Sequence, residues 1–445
     1  MQVKQLIAEN FPGSDDQLRI GGTDLAVIAE EFGTPLFVYD QGILQRTWAL
    51  LRATFPERFA IHYSVKANPN PNLLAFFLGN GAGLEIASAG ELHLALEAGC
   101  APGEILFAGP GKTDAEIELA LRSRVGEIHA ESINELRRIS AIAQRLNQTA
   151  HVALRVNPDG EAEGGAMRMG GKATPFGIDE EMLDEALSFA LTSPAIAVRG
   201  IHLFAGTQLL HSEILLNQYR KGIQIGRRVA ERLRHPLCTL DFGGGLGVPY
   251  FTNDEPLDMV ALKQGLAELM RDVDGDAAFE ATRFVIEPGR YLTAACGIYV
   301  ARVLDVKISR GKMFAILDGG MNHHLAASGN LGQTIKRNFP LAVANKLRQP
   351  ETDTVDIVGP LCTPLDVLGR AVVLPPIEIG DLVAVFQSGA YGRSASPLGF
   401  LSHATPPEVL VADGEASLIR RRGTVDDYLR DVIFASPQVA AAHKG

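Results

Sequence analysis

The chain has 445 residues, more than one hydrophobic core usually supports, so two domains are expected. A hydrophobic fraction of 46% is enough for a packed interior, and a net charge of -11 without a long Lys/Arg run argues against a nucleic-acid partner. No stretch of about 18 apolar residues suggests a membrane span, and the N-terminal MQVKQLIAENFPGSDD lacks the apolar centre of a signal peptide, so a cytoplasmic protein is expected.

The first 35 residues precede the opening barrel element and can pack against either domain; they are grouped with the second. From residue 59 to 290, short apolar runs recur: FAIHYSVKA, GLEIAS, EILFAGP, EIHAES, HVALRVN, VRGIHLFAG, CTLDFGGG and RFVIEPG. Most are separated by stretches such as GELHLALEAG and SINELRRISAIAQRL, where apolar residues return every three or four positions. Strand then helix, eight times over, predicts a (β/α)8 barrel over residues 36–295. A doubly wound sheet is the alternative. GNGAGLE, Gly79 to Glu85, only superficially resembles a dinucleotide fingerprint, because it precedes a strand, and reads as a helix end and turn.

Lys66 closes the first run, in HYSVKANPN. A lysine at the end of a buried strand either snorkels at the strand edge or is there for chemistry, where desolvation lowers its pKa and frees a neutral amine to form a Schiff base. The other runs end in Glu85 with Ser88, Gly109, Glu131, Arg155 with Asn157, Thr207, the triplet Gly243, Gly244, Gly245, and Glu287. In a barrel these strand ends share one mouth, where active sites are built.

From about residue 296 the helical spacing gives way to runs such as GIYVARVLDVKIS, KMFAILDGG and DLVAVFQS, set off by turn residues. Residues 296–445, with 1–35, are read as a β-rich domain, a sandwich or small barrel. Cys100, Cys238, Cys296 and Cys362 are scattered, and His323 and His324 adjoin without a third ligand, so neither disulfides nor a metal are expected.

After the seventh strand, DFGGGLGVPY leaves bare peptide N–H groups that can turn toward an anion, where such barrels often bind phosphate, although a glycine triplet can also be a plain turn. The eighth supplies EPGR, with Glu287 at its end and Gly289 and Arg290 beyond; Arg290 can reach the same phosphate or pair with Glu287. A Schiff-base lysine, a phosphate cradle and a carboxylate for a pyridine nitrogen match the needs of pyridoxal 5'-phosphate (PLP).

The strings HYSVKAN, GLEIASAGEL, LRVNP, FGID, GIHLFAGTQ, LDFGGGLG, IEPGRY, LDGGMN, GPLCTPLD and SGAYG, in this order from about Thr34 to Gly423, resemble the fold-type III PLP decarboxylases of diaminopimelate, ornithine and arginine. GGMNHH, GPLCTPLDVLG, SGAYGRSASPLGFLSH and LIRRRGTVDD are most similar to the butirosin-type glutamyl-carrier-protein decarboxylases. The resemblance implies Lys66 as Schiff-base lysine and Glu287 as pyridinium partner. It implies Thr207, Gly243 to Gly245, Gly289, Arg290 and Tyr391 around the phosphate or substrate carboxylate. Cys362, from the opposite subunit of a homodimer with shared sites, would reprotonate the carbanionic carbon; taken alone, this cysteine reads as a buried core thiol.

Two positions depart from the family pattern. Phe204 in HLFAGTQ stands where a ring-stacking histidine is usual; it can stack but cannot change charge. Thr363 follows Cys362 where the diaminopimelate and ornithine enzymes carry an acid for the distal ammonium, and a neutral threonine cannot form that ion pair. Arg337 in IKRNFP falls where family members address a distal carboxylate, and Arg168 and Lys172 lie in GGAMRMGGKATPFG; all three also fit solvated surface cations. The expected activity is PLP-dependent α-decarboxylation of an L-amino acid or of the α-amino acid end of a carrier-bound conjugate, with an acyl carrier protein as partner. The rivals are a meso-diaminopimelate decarboxylase, an amino-acid racemase and a catalytically silent regulatory homologue.

Overall fold

The computed structural model describes residues 3–159, 167–168, 173–204, 206–251, 253–331, 333 and 335–433. The eight apolar runs become strands: β1 Phe59–Ser64, β2 Gly83–Ile86, β3 Ile105–Phe107, β4 Glu127–Ala130, β5 Ala150–Asn157, β6 Ile196–Leu203, β7 Thr239–Asp241 and β8 Arg283–Ile286. Each pairs in parallel with the next, and β8 closes on β1 with Phe284, Val285 and Ile286 opposite Phe59, Ala60 and Ile61. This is the (β/α)8 barrel expected, and closure excludes the doubly wound sheet. Strands covered on both faces have no solvated side, which is why the runs are nearly continuous in apolar residues instead of alternating.

The intervening helices start where the sequence supplies caps. Ser88, Thr113 and Ser132 follow β2, β3 and β4, and each side chain accepts the backbone N–H of a glutamate three residues on, Glu91, Glu116 or Glu135. The Gly79–Glu85 segment is the helix end and turn expected: the helix Pro71–Gly79 stops at Asn80 and β2 begins at Gly83. The helix Ser212–Leu233 packs its two glycines onto rings, since a Cβ at Gly222 would lie 2.9 Å from Phe242 and one at Gly226 3.0 Å from Phe279. Phe242 stacks in turn with Phe59 and Phe284 at 5.9 and 6.0 Å.

The chain divides into two units: residues 42–296 with 389–394, and residues 2–41, 297–388 and 395–445. The second is β-rich, as expected, around the 13-residue strand β9, Gly297–Ser309, which pairs antiparallel with Leu36–Asp40, Lys312–Leu317 and Leu382–Val385. Two boundaries differ from the sequence reading. LFVYD, Leu36–Asp40, falls inside the 36–295 bounds read for the barrel, but it is wholly buried on ladders to β9 and to Glu408–Ala412, so it belongs to the second unit. Tyr391, assigned to the β-rich domain, falls in the 389–394 segment of the barrel unit. There its N–H donates to Ala67 O at 2.8 Å, and Asn68 Nδ2 donates to Gly389 O at 3.0 Å.

Candidate active site

Lys66 sits in the short turn Val65–Ala67 that ends β1. Its side chain is 45% exposed, and Nζ lies 3.0 Å from both carboxylate oxygens of buried Glu85, on the end of β2. Ser64 Oγ donates to the same carboxylate. Desolvation in the mouth opposes the ammonium, but Glu85, with Tyr391 and Glu287 farther off, carries the pKa of Lys66 above the ordinary lysine value. The sequence-based expectation of a pKa lowered by burial is therefore corrected: the strand-end amine faces the mouth and is held as a cation by a neighbour 19 residues along.

Glu287, just past β8, is buried, with its N–H on Gly243 O at 2.8 Å. Its Oε1 has no hydrogen-bond partner among the described residues. It does not pair with Arg290; its neighbours are His202, with Nε2 3.3 Å from Oε2, and His129, with Nδ1 4.0 Å from Oε1. Arg290 instead lies over Tyr391, 4.5 Å from the ring centroid, and donates from Nη1 to Tyr250 Oη at 3.2 Å, leaving Nε without a partner among the described residues. Tyr391 takes a φ of +54°, a backbone conformation that a bulky residue adopts at a cost and that commonly marks functional positions.

The glycine triplet has no room for side chains. Cβ atoms would come within 2.5 Å of Leu203 O at Gly243, 2.7 Å of Glu287 O at Gly244 and 3.2 Å of Gly206 O at Gly245. Gly243 N–H is spent on Asp241 Oδ1 at 2.8 Å, whereas the N–H groups of Gly244 and Gly245 meet no described acceptor. Gly289 serves close packing: a Cβ there would lie 2.9 Å from Ala67 Cβ and 3.0 Å from Ser64 Cβ, pressing the EPGR loop off the Lys66 turn. Phe204 lies over Gly243 and Gly244, with the Arg155 guanidinium 5.9 Å from its ring, and Thr207 follows on the short ladder with Met167. Arg155 is itself held by Glu131 at 2.7 Å, and Glu131 also accepts Gly109 and Gly177 N–H, so this strand-end pair is internally satisfied.

The barrel unit thus brings together Lys66, Phe204, Thr207, the glycine triplet, Glu287, Gly289, Arg290 and Tyr391, and an orphaned buried oxygen, two free peptide N–H groups and a free guanidinium N–H match the ring nitrogen and phosphate of PLP. Cys362, Thr363 and Arg337 lie in the second unit. Cys362 is exposed, not a core thiol, and Arg337 is exposed as well. Lys172 and the side chain of Arg168 lie outside the described residues. Sequence reading did not identify Glu85 as the partner of Lys66, nor His129, His202 and Asp241 around Glu287. No metal-ligand spacing is visible along the chain because these four come from four strands, although their donor atoms lie within 4.8 Å of one another. Two of the separations, 3.9 and 4.0 Å, exceed the about 3.5 Å between ligands of a tetrahedral zinc ion.

A (β/α)8 barrel with a lysine at the end of its first strand, a glycine triplet after the seventh and a buried carboxylate after the eighth is an arrangement that a pyridoxal-type cofactor fits. A family model for the pyridoxal-binding domain of pyridoxal-dependent decarboxylases matches residues 41–294. The L-glutamyl-[BtrI acyl-carrier protein] decarboxylase of Niallia circulans is 39% identical over 413 residues, 92% of this chain and 96% of that protein. The diaminopimelate decarboxylase of Aquifex aeolicus is 32% identical, over 93% and 94%. The crystal structure of diaminopimelate decarboxylase from M. jannaschii superposes with a TM-score of 0.88 at 27% identity, covering 97% of this chain and 99% of that one. The chain belongs to the pyridoxal-dependent decarboxylase family and is a carboxy-lyase.

Proposed function

We propose that the enzyme removes the α-carboxylate of a glutamyl unit carried as a thioester on an acyl carrier protein, working as a cytoplasmic homodimer with PLP bound in the barrel mouth. The observation that carries this reading is the surroundings of Thr363. It lines a cavity of about 530 Å³ together with Lys307, Lys312, Arg370, Asp356 and Asp366. Both carboxylates are engaged. Asp356 accepts Ala371 N–H at 2.7 Å and pairs with Lys312 at 2.6 Å, while Asp366 accepts Met321 and Leu361 N–H at 2.6 and 2.9 Å. Lys307 and Arg370 make no ion pair with a described residue. Such a lining offers nothing to the distal ammonium of diaminopimelate and offers cations to a phosphopantetheine phosphate or an acidic carrier surface. The likeness to the glutamyl-carrier-protein enzyme supports the same choice.

When bound, PLP supplies the electron sink for the pair released as carbon dioxide departs. Lys66 is the amine that would hold its aldehyde, and Glu85, 3.0 Å from Nζ, orients that amine in the mouth. Glu287 would accept the ring N–H, and Gly244 and Gly245 N–H with Arg290 would hold the phosphate. Phe204 would pack against the ring and keep water from it without carrying charge. Thr207, Gly289 and Tyr391 shape the rim of the phosphate site, Arg290 and Tyr391 address the substrate carboxylate, and Arg337 with Thr363 receives the far end. Cys362, from a second copy of the chain, delivers the proton to the α-carbon.

Carbon dioxide release from the PLP-loaded protein with a glutamyl-carrier-protein thioester and with meso-diaminopimelate, side by side, tests the reading. Turnover of the thioester alone is expected; efficient turnover of diaminopimelate would return the enzyme to the rival activity.

A further inference from the structure

His129, His202, Asp241 and Glu287 meet beneath the barrel mouth, from β4, β6, β7 and the end of β8, and all are buried. The imidazole centroids stand 4.4 Å apart, and His129 Nε2 lies 3.9 Å from Asp241 Oδ2. Both nitrogens of each ring, Asp241 Oδ2 and Glu287 Oε1 have no hydrogen-bond partner among the described residues. Lys112, Arg155, Lys66, Glu131, Glu85 and Glu127 are charged groups around the four, and the His62 ring and Tyr219 hydroxyl also face them, toward Glu287 and Asp241. Two adjoining buried carboxyl groups, each with one oxygen that meets no donor among the described residues, are relieved by one proton held between them, since two carboxylates side by side in a dry site repel.

We propose that Asp241 is a positioning residue that keeps this proton and donates it to Glu287 from below, so that Glu287 meets the cofactor ring nitrogen as a single, fixed carboxylate. The Gly243 N–H on Oδ1 by itself favours the carboxylate, and it leaves Oδ2, which faces the buried cluster and meets no described donor, as the oxygen that carries the proton. Burial first, then the neighbouring Glu287 charge, pushes the Asp241 carboxyl far above the carboxylate range. Burial pushes both imidazoles well below the ordinary histidine value, aided at His129 by His202 and at His202 by Arg155, so neither supplies a competing cation. The inference rests on the reading of Glu287 as the partner of the ring nitrogen.

Asparagine is the diagnostic substitution, since its carbonyl can keep Gly243 N–H while its amide donates where the acid did. The measurement is the 15N resonance of ring-labelled PLP bound to the wild type, Asp241→Asn, Asp241→Leu and Glu287→Gln, with carbon dioxide release alongside and circular dichroism as the folding check. Asp241→Asn is expected to keep the protonated-ring resonance and turnover within about threefold, and Asp241→Leu to shift the resonance and lose on the order of tenfold in turnover. If Asp241→Asn moves the resonance as far as Glu287→Gln does, Asp241 works as a carboxylate and the proposal falls while the role of Glu287 stands. If Asp241→Leu folds and leaves the resonance in place, the proposal also falls. If Glu287→Gln leaves it unmoved, the reading of Glu287 is what has failed, and the proposal goes with it.

Discussion

Replacing Glu127 with glutamine should stabilise the barrel at neutral and alkaline pH and do little in acid. Glu127 opens β4 inside the barrel, 5% exposed, where among the described residues its carboxylate oxygens accept only Thr239 Oγ1, at 2.8 and 2.9 Å. Burial lifts its pKa from 4.5 to about 7, although the Thr239 hydroxyl, Arg199 and Arg283 pull the other way. The folded state therefore binds the proton more tightly than the unfolded chain, so stability is lost as pH rises from 4.5 to about 7 and the penalty is complete above that. At 1.36 kcal/mol per pH unit the ceiling is about 3.4 kcal/mol, and solvent in the adjoining cavity of about 450 Å³ reduces it to about 2 kcal/mol. Trp48, the single tryptophan, lies buried in the helix Gln41–Thr54, 6.0 Å from Phe77, so its fluorescence in urea reports the barrel unit. The gain of Glu127→Gln over wild type should be larger at pH 8 than at pH 5 by about 1.5 kcal/mol, since part of the penalty is already present at pH 5. An equal gain at both pH values, or a larger one in acid, would refute the argument.

The remaining predictions concern the site. Thr363→Asp should cut kcat/KM for the carrier thioester by on the order of tenfold and raise diaminopimelate turnover, since it restores a partner for an ammonium; unchanged ratios would remove Thr363 from substrate recognition. Mixing the inactive Lys66→Ala and Cys362→Ala proteins should restore roughly a quarter of wild-type carbon dioxide release, because half of randomly formed dimers carry one intact site of two. No recovery from mixed dimers shown by mass to have formed would mean that each site is built within one chain. Glu85→Gln should lower the pKa of Lys66 in the cofactor-free protein, measurable as faster amine labelling at pH 8; an unchanged labelling rate would show that Glu85 does not hold that ammonium.

Most of the barrel is legible in the sequence because a parallel strand covered on both faces is a short apolar run, and the helices between are marked by periodicity and by caps such as Ser88 and Thr113. Lys66, the glycine triplet and Glu287 stand out because a cation, bare backbone and a carboxylate end apolar runs. What stays hidden depends on partners far along the chain. Leu36–Asp40 falls within the bounds read for the barrel until its pairing with β9 is known. Tyr391 lies in the sequence of one unit and packs in the other. His129 and Asp241 look like incidental polar residues in EIHAES and LDFGGG until the barrel closes and sets them beside Glu287.

The central claim is that Lys66 is the amine that holds PLP. Borohydride reduction of the PLP-loaded protein, followed by digestion and mass spectrometry, should find the pyridoxyl group on Lys66, and the Lys66→Ala protein should carry neither label nor activity. A label on another lysine, or carbon dioxide release that survives Lys66→Ala, would contradict the account.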